Sequence, residues 1–287
     1  MDLKIIEWFQ TIRHPILDWF FYVITYLGDQ YFFIALAAIL YWTYDKKFAH
    51  KFTLTFLLSV FVNTGLKQAF QRARPYTYDG IESVFAETQG YSFPSGHAQA
   101  SGVIGFTAYE RYRKTGYKLL KYFSIFILIM VPLSRVYLAQ HFVTDVLVGL
   151  VLSLGIAYFV FRYAHLMGDR EDLYTLALIP VLIVLMLFIP QHDLYIGAGG
   201  FMGFAGGYFL EKRYLQYEVK NTLLKQILKV LIGIAIAFGL KEGLKLIFPD
   251  TLFFDFLRYL MIGAWAAIGA PIVFKYVFKN NTQENLS

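Results

Sequence analysis

Apolar runs alternate with short charged loops from Ile16 to Phe278, and this alternation limits what the chain can fold into. Hydrocarbon offers a backbone amide no partner, so an apolar run in a bilayer folds as a helix that pairs its own amides. About 20 residues cross the apolar layer. The pattern predicts an all-α polytopic membrane bundle of ten helices, near residues 13–27, 31–44, 49–72, 95–112, 118–134, 140–162, 173–189, 194–211, 222–247 and 252–278. The first two are short for a crossing, so they tilt or the first stops part-way. Composition agrees, with 57% hydrophobic and 16% charged residues, where a soluble domain carries roughly 25% charged. There is no cysteine, which excludes disulfides, thiolate metal sites and thiol nucleophiles.

Charge in the loops orients the bundle. Lys46, Lys47 and Lys51 share one loop, and Arg111, Arg113, Lys114, Lys118 and Lys121 another. Arg162 and Arg170, then Lys212, Arg213 and Lys220, then Lys275 and Lys279 complete the series. These clusters fall on alternate loops, so their side is expected to be cytoplasmic. Both termini then fall on it. The opposite side holds Gly28-Asp29, the loop from Arg74 to Phe93, the stretch Arg135–Gln140 and Pro249-Asp250. The first nine residues mix charge with apolar groups and read as an interfacial helix. The net charge of +6 lies in these loops and does not point to nucleic acid.

Three stretches carry chemistry. Ser134-Arg135 is followed by His141 and Asp145. His141 and Asp145 are spaced to share a helix face, where a carboxylate raises the basicity of an imidazole. Arg135 lies off that face on a continuous helix, so one helix is expected to end near Arg135 and another to begin near Gln140. Lys67 and Arg74 are two turns apart, and Pro75 disfavours helix at Arg74. Two cations at a span end are costly without a partner, which points to an anion. Pro94-Ser95-Gly96-His97 opens the next helix with a serine cap and a glycine, so its free amides form an anion cradle. The loop between these last two stretches is long enough for a rim or lid. Its acids Asp79, Glu82 and Glu87 read as solvated.

Each stretch sits at a helix end, and the loop charges put all three on one side. A tetrahedral phosphate needs such a set: cations and amides for its oxygens, one imidazole to attack and another to act as acid.

Lys67-x6-Arg74-Pro75, Pro94-Ser95-Gly96-His97 and Ser134-Arg135-x5-His141-x3-Asp145 resemble, in order and at every signature position, the three motifs of the type 2 phosphatidic acid phosphatase (PAP2) superfamily. The resemblance covers roughly residues 13–163. It implies a catalytic transmembrane core of six helices over residues 1–165, with about four additional helices over 166–287. It implies a metal-independent integral membrane phosphatase acting on a lipid phosphate or prenyl diphosphate at the extracytoplasmic face. Its implied catalytic residues are His141, which forms a phosphohistidine; Asp145, which holds the other ring nitrogen; and His97, which protonates the leaving oxygen. Its implied phosphate-binding residues are Lys67, Arg74, Ser95, Gly96 and Arg135. No metal or other cofactor is implied, and no carboxylate cluster with metal-ligand spacing stands beside the motifs.

Membrane lipids and an amphiphilic phosphate are the expected partners. Candidate substrates are undecaprenyl diphosphate, phosphatidate, phosphatidylglycerophosphate and sphingoid phosphates. The loop charges fit a bacterial inner membrane. A lipid phosphotransferase would use the same residues, and a transporter or flippase would use the cations as a substrate site. The chain shows no repeat between halves, which speaks against the last. Gly199, Gly203 and Gly207 form a small-xxx-small stripe that predicts close packing, within the chain or in a homodimer. Lys241, Glu242, Lys245, Asp255 and Arg258 are expected to pair with one another at the membrane boundary, the alternative being that Lys241 or Lys245 meets a substrate headgroup or second phosphate.

Overall fold

A computed structural model describes residues 2–85 and 87–278, with the side chain of residue 193 left out. Lys279 of the last basic cluster lies outside the described residues. Among those described, every regular element is helical. The amino-terminal part contains α1 (Asp2–Thr11), α2 (Pro15–Thr25), α3 (Gln30–Thr43), α4 (Lys46–Phe70), α5 (Gly96–Thr115), α6 (Lys118–Tyr137) and α7 (Val143–Tyr163). The carboxy-terminal part contains α8 (Glu171–Leu176), α9 (Ile179–Phe188), α10 (His192–Leu210), α11 (Leu223–Ile247), α12 (Leu252–Ala264) and α13 (Ala270–Val277). The ends follow local chemistry. Ser95 caps α5 by accepting from the Ala98 amide at 3.4 Å, and Gly116 closes that helix at φ 74°.

Among the described residues, five helical stretches are long and apolar enough to cross a membrane: Lys118–Tyr137, Val143–Met167, Glu171–Phe188, Leu223–Ile247 and Leu252–Val277. Pro15–Gly28 and Gln30–Thr43 qualify together as a sixth, bent by 48° at the break. The chain packs as two compact units. One holds residues 1–34 and 52–163, and the other holds residues 35–51 and 164–287.

In the first unit α5, α6 and α7 lie close together. Ser124 on α6 donates to the Gly105 carbonyl of α5 at 2.7 Å. The Ser95 amide donates to the Asp145 carbonyl at 3.0 Å, which ties the start of α5 to the start of α7. Asn63 of α4 donates to the Pro94 carbonyl at 3.0 Å. Three separate helix ends are thus brought to one place.

The path of α2 bears on the topology. Two short helices on either side of Gly28-Asp29 were expected, tilted or with the first stopping part-way, and with the amino terminus on the side away from the motifs. A bend of 48° continues the path and does not reverse it. The chain also enters at the motif end. Asp18 accepts from the Tyr137 hydroxyl at 2.6 Å, Thr25 accepts from Arg135 at 3.0 Å, and Gly28 lies against Val131. So α2 runs antiparallel to α6, starting where α6 ends. Preceding it, α1 packs over the same end, with Ile6 buried among Ile81, Val136 and Phe142. Length fits this path: at about 1.5 Å per residue neither α2 nor α3 alone reaches across a layer about 30 Å thick.

The second unit is held by two devices. Along α10 the glycine stripe meets α12 of the same chain. A Cβ at Gly203 would lie 2.0 Å from the Leu260 carbonyl oxygen, so the two backbones touch where any side chain would part them. Buried polar pairs supply the rest. Fully buried Glu211 accepts from Lys46 at 2.7 Å and from the Tyr217 amide at 2.8 Å. A π-helical turn at Trp265–Gly269 frees carbonyls, which Trp42 and Tyr41 take up at Ala266 (2.7 Å) and Ala267 (3.1 Å). Lys241 pairs with Glu242 at 3.2 Å, and Asp255 pairs with Arg258 and with His192.

Candidate active site

After α4 ends at Phe70, Gln71 adopts φ 45°, which turns the chain off the helix axis. Arg74 therefore leaves the face it would have shared with Lys67 and points into the first unit, 2% exposed. Its Nε donates to the Gly90 carbonyl at 2.8 Å, and its Nη2 to Gln89 at 3.1 Å and Tyr91 at 3.4 Å. Its Nη1 donates to the Gln140 carbonyl at 3.1 Å and faces His141 Nε2 at 3.3 Å. The loop that reads as a rim in the sequence thus folds over this end and holds the cation. Asp79, Glu82 and Glu87 stay exposed, as expected.

Arg135 comes from the last turn of α6 and is also buried. It donates from Nη1 to Thr25 at 3.0 Å and from Nη2 to Thr88 at 3.2 Å. Its Nε is buried with no partner among the described residues and is a donor open to a ligand. Ser134 is turned away and donates to its own helix at the Val131 carbonyl.

His141 stands in the turn between α6 and α7, 2% exposed. Burial, then the charges of Arg74, Arg135 and Lys67, hold its imidazole well below the ordinary histidine range, so it is neutral. His97 is half-buried in the first turn of α5 and lies within electrostatic reach of Arg135, His141, Arg74 and Lys67. Its backbone and Cβ back onto Gly28, where an added Cβ would lie 2.8 Å from the His97 carbonyl oxygen. The break between α2 and α3 therefore falls at the centre itself. Ser95 and Gly96 open α5, and the amides of Gly96 and His97 stand ahead of its hydrogen-bond ladder. All eight residues singled out by sequence belong to the first unit, and Arg74, Arg135, Lys67 and both histidines converge.

Asp145 faces the other ring nitrogen of His141 within ion-pair distance. Its Oδ2 is 3.7 Å from His141 Nδ1, too far for a hydrogen bond. Oδ2 instead accepts from the Phe142 amide at 2.9 Å and from Ser92, while Oδ1 accepts from Arg72 at 2.7 Å. Arg72 also donates to Thr144 and to Asp2 of α1, and its guanidinium lies 4.0 Å from the centre of the Phe142 ring. Ser92, Arg72, Thr25 and Thr88 are therefore further members of this centre that the sequence did not mark. Only the cationic character of Arg72, which falls at the end of the third predicted helix, offered a signal.

The arrangement can hold an anion of several oxygens beside a neutral imidazole nitrogen, with a second imidazole at hand. The family models agree in position. The PAP2 superfamily matches residues 48–168, and the PAP2 superfamily phosphatase, transmembrane extension, matches residues 195–281. Mouse sphingosine-1-phosphate phosphatase 2 is 23% identical over 69% of this chain and 62% of its own length. The chain spans about half of the human counterpart, at 48% of its length. Phosphatidylglycerophosphatase B of Bacillus subtilis is 31% identical over 52% of this chain and 76% of its own length. The crystal structure of Aquifex aeolicus LpxE superposes with a TM-score of 0.50 at 26% identity, covering 56% of this chain and 95% of that one. Motifs, helices and relatives agree, and the chain belongs to the PAP2 superfamily.

Proposed function

We propose that this chain is an integral membrane phosphatase that removes phosphate from a membrane lipid, through a phosphohistidine on His141. The observation that carries the reading is the pairing of His141 Nε2 with Arg74 Nη1 at 3.3 Å. A guanidinium can only donate, so Nε2 is the bare nitrogen, and it lies beside a cation suited to phosphate.

His141 Nε2 attacks phosphorus, and the electron pair of the breaking P–O bond passes to the leaving oxygen. His97, protonated beside the bound phosphate, gives that oxygen its proton. A water then gives its proton to His97, its oxygen attacks phosphorus, and the P–N bond electrons return to His141. Arg74, Arg135, Lys67, Ser95 and the amide of Gly96 hold the phosphate oxygens. The leaving group of a lipid stays with the apolar surface of the helices.

The bent α2–α3 path is read as one crossing, and α4, α5 and α10 are read as crossings beside the five long apolar stretches. This makes nine. The amino terminus then shares the extracytoplasmic face with the centre, and the basic loops remain cytoplasmic. A bacterial inner membrane suits this arrangement.

The test is phosphate release from a panel of lipid monophosphates and diphosphates, with and without EDTA. Release that persists in EDTA and is lost in His141→Ala and His97→Ala is expected. Normal release by folded His141→Ala would refute the reading.

A further inference from the structure

Asp145 and His141 lie 3.7 Å apart, beyond hydrogen-bond distance, and the Ser92 hydroxyl lies within hydrogen-bond reach of both. Ser92 Oγ lies 3.3 Å from His141 Nδ1 and donates to Asp145 Oδ2 at 2.5 Å. The side chain is fully buried, and the Ser92 amide is fixed by donating to the Arg72 carbonyl at 2.8 Å. Asp145 cannot swing freely toward the ring. Its Oδ2 also takes the Phe142 amide at 2.9 Å, and its Oδ1 takes Arg72 at 2.7 Å.

The protons can be counted. A serine hydroxyl has one hydrogen to donate, and Asp145 Oδ2 accepts it. Toward the ring it then has only lone pairs, and His141 Nδ1 must carry the hydrogen of that bond. The other side of the ring gives the same answer independently. Arg74 Nη1 faces Nε2 at 3.3 Å and can only donate, so Nε2 carries no hydrogen. Both contacts select one tautomer, the one with a bare Nε2 whose lone pair faces Arg74.

We propose that Ser92 is a positioning residue for the hydrolysis, the relay through which Asp145 sets the tautomer of His141 and steadies the positive charge the ring gains as Nε2 bonds to phosphorus. The inference rests on the phosphatase reading above. Asp145 thus acts at one remove, and the loop ahead of α5 contributes to the nucleophile as well as to phosphate binding.

The full-length protein in detergent is assayed for phosphate release with the lipid phosphate it turns over fastest, as Ser92→Ala, Ser92→Thr, Asp145→Asn, the double variant Ser92→Ala/Asp145→Asn, and His141→Ala. Loss of the relay is expected to lower kcat by about 100-fold, the scale of one proton-positioning group, with KM within about twofold. Thr, which keeps the hydroxyl, restores at least a tenth of wild-type kcat. In the Asp145→Asn background Ser92→Ala costs little more, because the two act in series. Should the Ala variant not fold, Ser92→Cys, similar in volume and a poor hydrogen-bonding partner, is held to the same expectation. Wild-type kcat in the folded Ala or Cys variant, or losses that simply multiply in the double variant, would overturn the relay while His141→Ala remains inactive. Activity in His141→Ala would instead remove the phosphatase reading itself.

Discussion

Arg74 Nη1 lies 3.3 Å from His141 Nε2, and both side chains are buried. The guanidinium does not rely on the imidazole for its place. Four carbonyls, those of Gln89, Gly90, Tyr91 and Gln140, accept its other bonds. A cation fixed in this way stands in place before an anion arrives, and the N–H that faces Nε2 is the one not held by a carbonyl.

Arg74→Lys keeps the charge and loses the planar fork that reaches those carbonyls. We expect kcat/KM to fall by about 100-fold or more, the range for one lost transition-state donor. Phosphate release against substrate concentration measures it, and a fall of less than threefold would show that charge alone suffices.

Arg72→Gln removes a cation from Asp145, which has no exposed surface. Leaving that carboxylate a donor short should cost about 1–3 kcal/mol of stability. A lower melting temperature in detergent, with kcat reduced less than in Asp145→Asn, is the expected pair of results.

Acidity offers a third test. His141 is held below the ordinary histidine range first by burial, then by Arg74, Arg135 and Lys67. A lowered value means that the neutral, attacking form persists as the pH falls. The acid limb of kcat/KM should therefore lie below about pH 6.5, the unperturbed value for histidine. Lys67→Gln removes one cation and should move the limb upward. The same depression works against the fold in acid: below about pH 6.5 the unfolded chain takes up a proton that the native site refuses, so stability falls. A limb in the pH–rate profile above that value would contradict the cause assigned.

Gly28→Ala would put a methyl 2.5 Å from Val131 Cγ1 and 2.8 Å from the His97 carbonyl oxygen. Something must shift, and His97 is on one side of it. Lower thermal stability with kcat reduced at least tenfold is expected, an overpacking cost of about 1–3 kcal/mol. Unchanged kinetics would separate the break at Gly28 from the chemistry.

The amino-terminal topology can be read directly, because the chain has no cysteine. Lys4 on α1 is exposed. Lys4→Cys should react with an impermeant maleimide on the outer face of intact cells, and Lys47→Cys only after lysis. The reverse pattern would return the amino terminus to the cytoplasm.

Much of the architecture was legible because the signals are local and repeated. Apolar runs located the helices, and fixed spacings located Lys67, Arg74, Ser95, His97, Arg135, His141 and Asp145. The stripe at Gly199, Gly203 and Gly207 announced a close helix contact, which α12 supplies. What stayed hidden depends on contacts distant in sequence. Ser92 lies in an irregular loop, and its neighbours Asp145 and His141 are about fifty positions away. Arg72 looked like one more span-end cation until Gln71 turned the backbone and brought it to Asp145. Periodicity also cannot distinguish two short crossings from one broken one, since α2 and α3 are equally apolar in either case. Only the partners of Asp18, Thr25 and Gly28 along α6 decide the direction.

The grip of residues 89–91 on Arg74 has a consequence for traffic. A loop that lifts to admit a molecule from the aqueous side carries those carbonyls away and unhooks the guanidinium. On the proposed phosphatase reading, entry from above would disarm the site just as its substrate arrives. A headgroup that slips in sideways, with its tail still dissolved in the bilayer, leaves the latch closed and the weapon loaded.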